Sequence, residues 1–204
     1  MSWQSTDSAG QALQDLFDRR VEPVERLLGD AEAVARACHD MARRFHAGGK
    51  LIVFGNGGPS TDAQHVAVEF VHPVIVGKRA LPALSLTSDV ATVTGIARGA
   101  GIDEVFAHQV RCLGEPDDIA LGISADGDCE NVLRGLVEAD RRGLLSIGLA
   151  GGEGGAMAAT GLDHVLVAHS DDPRVVKEVH VTIYHVLWEL VHVFLEQPGV
   201  WEAA

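Results

Sequence analysis

The chain has 204 residues, and its 16 Lys and Arg against 29 Asp and Glu give a formal net charge of −13. The length suits one domain with a complete core. The negative balance argues against a nucleic-acid or anionic-membrane surface, because both need clustered basic side chains, so we expect neither partner. Residues 1–8 carry no secretory signal pattern, and three widely spaced cysteines suit a reducing compartment, so we expect a cytoplasmic protein.

The first 48 residues carry charged and aliphatic side chains at helical spacing. Pro23 suits the first turn of a helix, so the pattern predicts two helices, over 8–20 and 23–47, that end at Gly48. We expect residues 1–48 to form a helical hairpin that contributes to oligomerisation.

Short apolar runs indicate buried strands in the rest of the chain, at 51–54, 83–86, 119–123, 144–147 and 164–167. Helical patterns separate or follow them, near 60–71, 89–97, 102–113, 129–142 and 174–196. Strands that alternate with helices predict a parallel sheet covered on both faces. The sequence therefore predicts a three-layer α/β sandwich over 49–197, followed by a tail at 198–204.

The loops after the strands are the expected ligand sites, because ligands of such sheets bind beyond the carboxyl ends of the strands. Gly55-Asn-Gly-Gly-Pro-Ser60 joins a strand to a helix, and its glycines and the helix N-terminus suit an anion. It matches neither the dinucleotide fingerprint nor the P-loop, so no nucleotide cofactor is expected. The alternative is a tight turn with Ser60 as the helix N-cap and nothing bound.

Two predicted helices carry ionisable groups at regular spacing. His65 and Glu69 lie four residues apart on one helix face, where they can hold one metal ion or share one proton, or form a simple surface pair. The apolar helix near 174–196, too polar at intervals for a membrane span, carries a stripe of Glu178, His185, Glu189 and His192. Such groups need partners when buried, or they satisfy one another at a subunit interface.

Four motifs together resemble one protein family: Gly55-Asn-Gly-Gly58, His65-x-x-x-Glu69, Gly122-Ile-Ser124 and Glu178-Val-His180-x-x-x-x-His185. They are similar to the phosphoheptose (sedoheptulose-7-phosphate) isomerases of the SIS (sugar isomerase) domain family, from about residue 30 to 196. The resemblance implies a five-stranded parallel sheet with N-terminal helices, assembled as a homotetramer with active sites between subunits.

The resemblance also implies residue roles. Glu69 and His185 would be the base and the acid that move a proton between C1 and C2 of an open-chain sugar phosphate through an enediolate. Some members bind zinc through the positions of His65, Glu69 and His185 plus a Gln. The implied substrate-binding positions are Asn56, Gly57, Gly58, Ser60, Arg98, Ser124, Ala125, Asp126, Cys129 and Lys177.

The sequence departs from the family at several of these positions. The family's Gln is Lys177, and because an ammonium cannot ligate zinc, this lysine either turns away or replaces the metal with a positive charge. The hydroxyl-rich phosphate loop is here Ser124-Ala-Asp-Gly-Asp-Cys129. An inward Asp126 about 4 Å from a phosphate charge costs about 4 kcal/mol at an effective dielectric near 20. Alternatively, the acids at 126, 128 and 130 cap the helix that follows.

Two classes of function remain open at this point. The first is an aldose–ketose isomerase, an intramolecular oxidoreductase. The second is a non-catalytic regulator, either a sugar-phosphate sensor or an assembly factor like the DnaA initiator-associating protein. That protein resembles this one but lacks the acid and the histidine at the positions of Glu69 and His185, so their retention here favours the enzyme.

Overall fold

The computed structural model describes residues 6–197, so the predicted tail at 198–204 lies outside the described residues. Two helices come first, α1 (Thr6–Gly29) and α2 (Ala31–Ala47). The predicted break at Pro23 is wrong, because α1 continues through it. The Pro23 ring is buried, which offsets the backbone hydrogen bond that a proline removes. The chain breaks instead at Asp30, whose carboxylate pairs with His169 (3.3 Å) and does not cap α2.

Strands and helices then alternate through the described residues. The strands are β1 (Leu51–Gly55), β2 (Ala83–Ser85), β3 (Ile119–Ile123), β4 (Leu145–Gly151) and β5 (His164–Ala168). The helices are α3 (Gly58–Val71), α4 (Val90–Ala100), α5 (Val105–Leu113), α6 (Glu130–Arg141), α7 (Gly155–Ala158) and α8 (Pro173–Glu196). The predicted helix at 102–113 begins with a separate 3-10 turn, Ile102–Glu104, and α7 was not predicted.

The five strands form one parallel sheet in the order β2-β1-β3-β4-β5. Alternate residues of each strand face opposite layers. Leu51 and Val53 of β1 pack in a core with α2, α3 and α8, whereas Ile52 and Phe54 pack with α5 and α6. The predicted three-layer α/β sandwich is therefore confirmed.

The loops at the carboxyl ends of the central strands touch one another through their backbones. A Cβ atom on Gly55 would lie 2.7 Å from the Ile123 carbonyl oxygen, and one on Gly151 would lie 2.2 Å from the Ala125 carbonyl oxygen. Only glycine permits such close approach. These contacts bring the loops after β1, β3 and β4 together at one edge of the sheet. Over residues 6–197, no helix has both the length and the apolar character needed to cross a membrane.

Candidate active site

Helices α3 and α8 lie side by side on one face of the sheet and share a ladder of polar contacts. Three side-chain contacts follow the same order along both helices: Asp62 with Lys177, His65 with Tyr184, and the Glu69 carbonyl with Trp188. The helices therefore run parallel. Because residues three, four and seven apart share a helix face, each helix presents one polar row to the other.

His65, Glu69 and His185 form a cluster at this contact. Their ligand atoms all lie within 4.8 Å of one another. His65 Nε2 is 3.2 Å from Glu69 Oε1, and the His185 ring meets the His65 ring edge-on at 5.3 Å between centroids. The Glu69 side chain is only 14% exposed, whereas His185 is exposed to solvent. A shielded carboxylate thus lies beside an imidazole that a ligand can reach.

Tyr184 supports the cluster from the buried side. Its hydroxyl is 2.9 Å from His65 Nδ1, and its ring contacts both His65 and His185 edge-on. Burial, with the nearby carboxylates of Asp62 and Glu69, raises the pKa of Tyr184 well above its usual value. The phenol therefore keeps its proton at neutral pH.

Lys177 points towards the first turn of α3. Its Nζ donates to Asp62 Oδ1 (2.6 Å), to the Thr61 hydroxyl (3.3 Å) and to the Gly58 carbonyl (3.4 Å). Asp62 is buried, and its Oδ2 atom has no hydrogen-bond partner among the described residues. The three donors of the ammonium are thus used within α3, and none of them reaches the His65 cluster.

The glycine-rich loop after β1 is open to solvent at Asn56, Gly57 and Gly58. The alternative in which Ser60 caps α3 is wrong, because the N-cap is Gly57 and the Ser60 hydroxyl donates back to the Gly57 carbonyl (2.7 Å). The amide of Asn56 donates to Cys129 Sγ (2.8 Å), which ties this loop to the start of α6. Between the ends of β1 and β3 lies a cavity of about 240 Å³, whose lining includes Asn56, Ser124, Ala125, Asp126, Asp128 and Cys129.

Asp126 folds back onto its own loop. Its Oδ1 atom accepts hydrogen bonds from the Ser124 hydroxyl (2.9 Å) and from the Asp128 backbone N–H (3.0 Å). These bonds, first that from the Asp128 amide, hold the pKa of Asp126 below its usual range, so its carboxylate is ionised at neutral pH. The carboxylate occupies two donors that a bound anion would otherwise use.

The other loop acids act differently from one another. The N-cap position of α6 is Cys129, which makes no capping side-chain bond. Asp128 Oδ1 accepts from the Ala156 N–H at the start of α7 (2.7 Å). None of these three acids therefore makes a capping bond to α6. Glu130 lies in the first turn of α6, where a negative charge suits the helix dipole, and its carboxylate pairs with Arg134 (2.6 Å).

The chain is similar in sequence and fold to known proteins over most of its length. A family model described as SIS domain matches residues 18–151. The phosphoheptose isomerase of Thermodesulfovibrio yellowstonii is 39% identical over 160 residues, which are 78% of this chain and 79% of the relative. A solved phosphoheptose isomerase from Francisella tularensis has a TM-score of 0.81 at 33% identity, over 94% of this chain and 99% of that one. The structure of phosphoheptose isomerase GmhA from Neisseria gonorrhoeae has a TM-score of 0.82 at 29% identity, over 90% of this chain and 98% of that one.

The chain belongs to the phosphoheptose isomerase family of SIS-domain proteins. The resemblance inferred from the four motifs is therefore confirmed, and so is the fold that it implied. The alternative of a non-catalytic regulator is not favoured, since curated relatives that are 39–45% identical to this chain are named phosphoheptose isomerases.

The His65, Glu69 and His185 donors fit a zinc ion chemically. Two imidazoles and one carboxylate, with a fourth position left for water or substrate, are a donor set found in catalytic zinc sites. Ligands about 2.0–2.1 Å from a tetrahedral ion lie about 3.4 Å apart, and the 3.2 Å between His65 Nε2 and Glu69 Oε1 is close to this separation. Because Lys177 is engaged by Asp62, its ammonium does not stand in for the ion at this cluster.

Arg98 and two residues of the polar stripe on α8, Glu178 and His192, lie apart from the cluster of His65, Glu69 and His185. Arg98 is exposed in the last turn of α4 and makes no hydrogen bond or ion pair within residues 6–197. The polar stripe of α8 divides among different partners: Glu178 pairs with Arg20 of α1 (2.8 Å), while His192 is buried against the carbonyls of Trp188 and Arg79. The stripe is thus not one continuous site.

Two residues of this site, Tyr184 and Asp62, are not predicted from the sequence. Tyr184 precedes His185 directly and follows Lys177 by seven residues, a spacing that places it on the α8 face turned towards α3. Asp62 lies three residues before His65 and shares its helix face for the same reason. Both signals are present in the sequence, but they identify partners only once α3 and α8 are known to be neighbours.

Proposed function

We propose that this member of the phosphoheptose isomerase family catalyses the aldose–ketose isomerisation of a sugar phosphate, either sedoheptulose 7-phosphate or a related sugar. The observation that carries the proposal is the meeting of Glu69 from α3 and His185 from α8 in one cluster. The similarity to phosphoheptose isomerases over most of the chain supports it. The protein is then an intramolecular oxidoreductase.

The proposed reaction moves one proton between neighbouring carbons. The Glu69 carboxylate removes the proton from C2 of the aldose. The electron pair of the broken C2–H bond forms the C1–C2 double bond of an enediolate. His185 delivers a proton to the carbonyl oxygen at C1 and takes one from the hydroxyl at C2. Glu69 then returns its proton to C1, which leaves the ketose with no net gain or loss of protons.

The contacts of Glu69 support its role as the base. Its Oε1 atom faces His65 Nε2, and Trp188 Nε1 donates to the Glu69 carbonyl (2.9 Å). The backbone and one carboxylate oxygen are thereby held, so Oε2 is left for the carbon-bound proton. His185 suits proton exchange with the sugar oxygens because imidazole can act as acid and base in turn.

We also propose a zinc site at this cluster. His65, Glu69 and His185 would hold the ion, which when bound would polarise the sugar carbonyl as a Lewis acid. The donor chemistry and the distances within the cluster support this. Elemental analysis of purified protein before and after dialysis against a chelator tests it, and the absence of zinc at stoichiometric level, even after zinc is added back, would contradict it.

For the substrate we propose contacts at the ends of β1 and β3. Asn56, Gly57, Gly58 and Ser60 offer an open loop at the N-terminus of α3, where backbone N–H groups suit an anion. Ser124, Ala125, Asp126 and Cys129 line the adjacent cavity. Arg98 and Lys177 are the predicted positions with positive charge, and Lys177 contributes by holding the first turn of α3.

The protein is proposed to be a cytoplasmic homo-oligomer, a tetramer as the family resemblance implies, with residues 1–48 contributing to assembly. Apolar side chains are exposed along α1 at spacings of three or four residues, at Leu13, Phe17, Val21, Val24 and Leu28, and Leu16 lies three residues after Leu13. A stripe of this kind suits packing against another helix. All three cysteines are free, which agrees with a reducing compartment. Light scattering on the purified chain tests the assembly.

The central experiment replaces the two catalytic groups separately, as Glu69→Gln and His185→Asn. Isomerisation of sedoheptulose 7-phosphate in deuterated water is followed by NMR, which detects both the product and deuterium exchange at the reacting carbons. Both variants should lose at least about 100-fold in kcat. Glu189→Gln, which removes an exposed carboxylate four residues after His185, is the matched control and should keep wild-type activity. Unchanged turnover in Glu69→Gln would overturn the assigned mechanism.

A further inference from the structure

The sequence contains two asparagines, Asn56 and Asn131, and the fold brings their side chains together. Asn56 lies exposed in the loop after β1, whereas Asn131 lies in the first turn of α6 and is only 4% exposed. Asn56 Nδ2 donates to Asn131 Oδ1 (2.5 Å), and Asn131 Nδ2 lies 3.4 Å from Asn56 Oδ1. The two amides therefore meet at two points, and this contact joins the loop after β1 to the buried start of α6.

A backbone carbonyl determines how both amides are turned. Asn131 Nδ2 donates to the Ile102 carbonyl (3.2 Å). Because a carbonyl oxygen only accepts hydrogen bonds, the Asn131 nitrogen must lie on that side, and its oxygen must be left for Asn56. The Asn56 nitrogen then has to face this oxygen, since two opposed amide oxygens would repel and leave a buried acceptor unpaired. The orientation of the exposed amide is thus set by the buried one.

This pairing also determines which atom of Asn56 a ligand can use. One N–H of its amide donates to Asn131 and the other donates to Cys129 Sγ (2.8 Å), so both donors are engaged. Asn56 Oδ1 has two lone pairs, and within residues 6–197 only Asn131 Nδ2 approaches it as a donor. Asn56 also lines the cavity between the ends of β1 and β3. Its side chain can therefore accept a hydrogen bond from a hydroxyl of a ligand there.

We propose that Asn131 is a positioning residue for the sugar, acting through Asn56. It holds the Asn56 amide with the nitrogen turned towards α6, so that Oδ1 is kept ready for a sugar hydroxyl. Without Asn131 the amide is free to turn about its terminal torsion, and binding has to order it. The inference rests on the proposed isomerase function for its kinetic consequence only, because the state of the two amides can be measured without a substrate.

The first test observes the two side-chain amides directly. Because the chain has two asparagines, the full-length protein labelled with ¹⁵N-asparagine gives two side-chain NH₂ groups in NMR spectra. In Asn56→Ala the remaining group belongs to Asn131, which assigns both. In the wild type without ligand, the Asn56 protons should be protected from exchange with water although the residue is exposed. In Asn131→Ala they should exchange at least about tenfold faster, because their best acceptor is gone.

The second test is a double-mutant cycle in the isomerase assay. Asn56→Ala and Asn131→Ala should each raise KM for sedoheptulose 7-phosphate about 5- to 10-fold, with kcat within about twofold. The double variant should have the KM of Asn56→Ala alone, because Asn131 then has no side chain left to hold. Asn131→Ser, which keeps a polar group in the buried position but is too short for the two-point contact, is a second variant with the same expected result.

The matched control for lost stability is Ser146→Ala. It deletes a buried hydroxyl that donates to Asp163 (2.9 Å) near the start of β4, at the end of the sheet opposite the cavity. Thermal unfolding of every variant measures the loss of stability. Ser146→Ala should unfold at a lower temperature than the wild type and keep the wild-type KM, which separates a general loss of stability from a loss of positioning.

The outcomes discriminate the proposal from its alternatives. Faster amide exchange together with a non-additive rise in KM supports it. Unchanged exchange of the Asn56 amide in Asn131→Ala and Asn131→Ser overturns the pairing, and additive effects in the cycle overturn the action through Asn56. If the wild type isomerises no sugar phosphate, the proposed function fails, while the spectra still decide whether Asn131 orients the Asn56 amide.

Discussion

Replacing Asp126 with serine should strengthen the binding of a phosphorylated sugar. In the structure the Asp126 carboxylate accepts from the Ser124 hydroxyl and from the Asp128 N–H, at 2.9 and 3.0 Å. A phosphate in the adjacent cavity would seek the same donors and would meet a like charge. Serine removes that charge and releases both donors to the ligand, so the expected change is a lower KM.

The size of the effect follows from the exposure of Asp126. Two unit charges of the same sign 4 Å apart repel by about 4 kcal/mol at an effective dielectric of 20, and by about 1 kcal/mol in bulk water. Asp126 is exposed, so solvent screens its charge and the cost lies towards the lower figure, about 1–3 kcal/mol. KM for the sugar phosphate should therefore fall about 5- to 150-fold in Asp126→Ser.

The assay measures KM and kcat for sedoheptulose 7-phosphate in the wild type and in Asp126→Ser and Asp126→Asn. Glu153→Gln, which removes an exposed acid from the loop after β4, controls for the change in net charge. Because the folded-state pKa of Asp126 is lowered, its carboxylate stays charged above about pH 4. The second pKa of a phosphate monoester is about 6, so the ligand is mainly a dianion from about pH 7 to 8, and the difference in KM should change little over that range. An unchanged or higher KM in both Asp126 variants would refute the reasoning.

Three further predictions concern stability and reactivity. Burial raises the pKa of the Cys38 thiol to about 12, so the thiol stays protonated and unreactive in the native protein. A thiol reagent should therefore modify the exposed Cys112 in the native protein, and Cys38 only after unfolding. Mass spectrometry of the labelled peptides measures both. Lys177→Met should lower the free energy of unfolding by about 2–3 kcal/mol in urea titrations, because it leaves the buried Asp62 carboxylate without its cation. Since the Lys177 side chain is about half-exposed, this loss is at or below the lower end of the range for buried ion pairs. A loss below about 0.5 kcal/mol would contradict this reasoning. Gly49→Ala would place a Cβ atom 2.0 Å from a backbone carbonyl oxygen and should cost at least about 2 kcal/mol, whereas Gly10→Ala, with open space around it, should not destabilise α1.

The layers of the fold could be predicted from the sequence because its strands are short, apolar and separated by helical patterns. The element boundaries were harder to predict where tertiary packing overrides a local preference. Pro23 suits the start of a helix, yet α1 continues through it, and the proline is buried in the fold. Strand β4 extends to Gly151, past its predicted end at residue 147, because it pairs with β5 as far as Ala168. Such pairing partners are distant in sequence and leave no local signal.

The cluster residues could be found from spacing and resemblance, but the direction of each side chain could not. Lys177 had two open outcomes in the sequence, and the structure decides between them because Asp62 is buried within 2.6 Å of its ammonium. Asp126 likewise was expected to face either a ligand or a helix terminus, and it instead binds its own loop. Both outcomes depend on which acceptors the fold brings near, which residue spacing alone does not contain.

The ladder between α3 and α8 explains why the cluster depends on residues outside it. Glu69 and His185 come from different helices, so they meet only if the two helices keep one register. Each residue turns an α-helix by about 100°, and a shift of one position would carry His185 off the face that meets His65. Contacts above and below the cluster, at Lys177 and Trp188, oppose such a shift. The position of His185 relative to Glu69 is therefore a property of the whole helix pair.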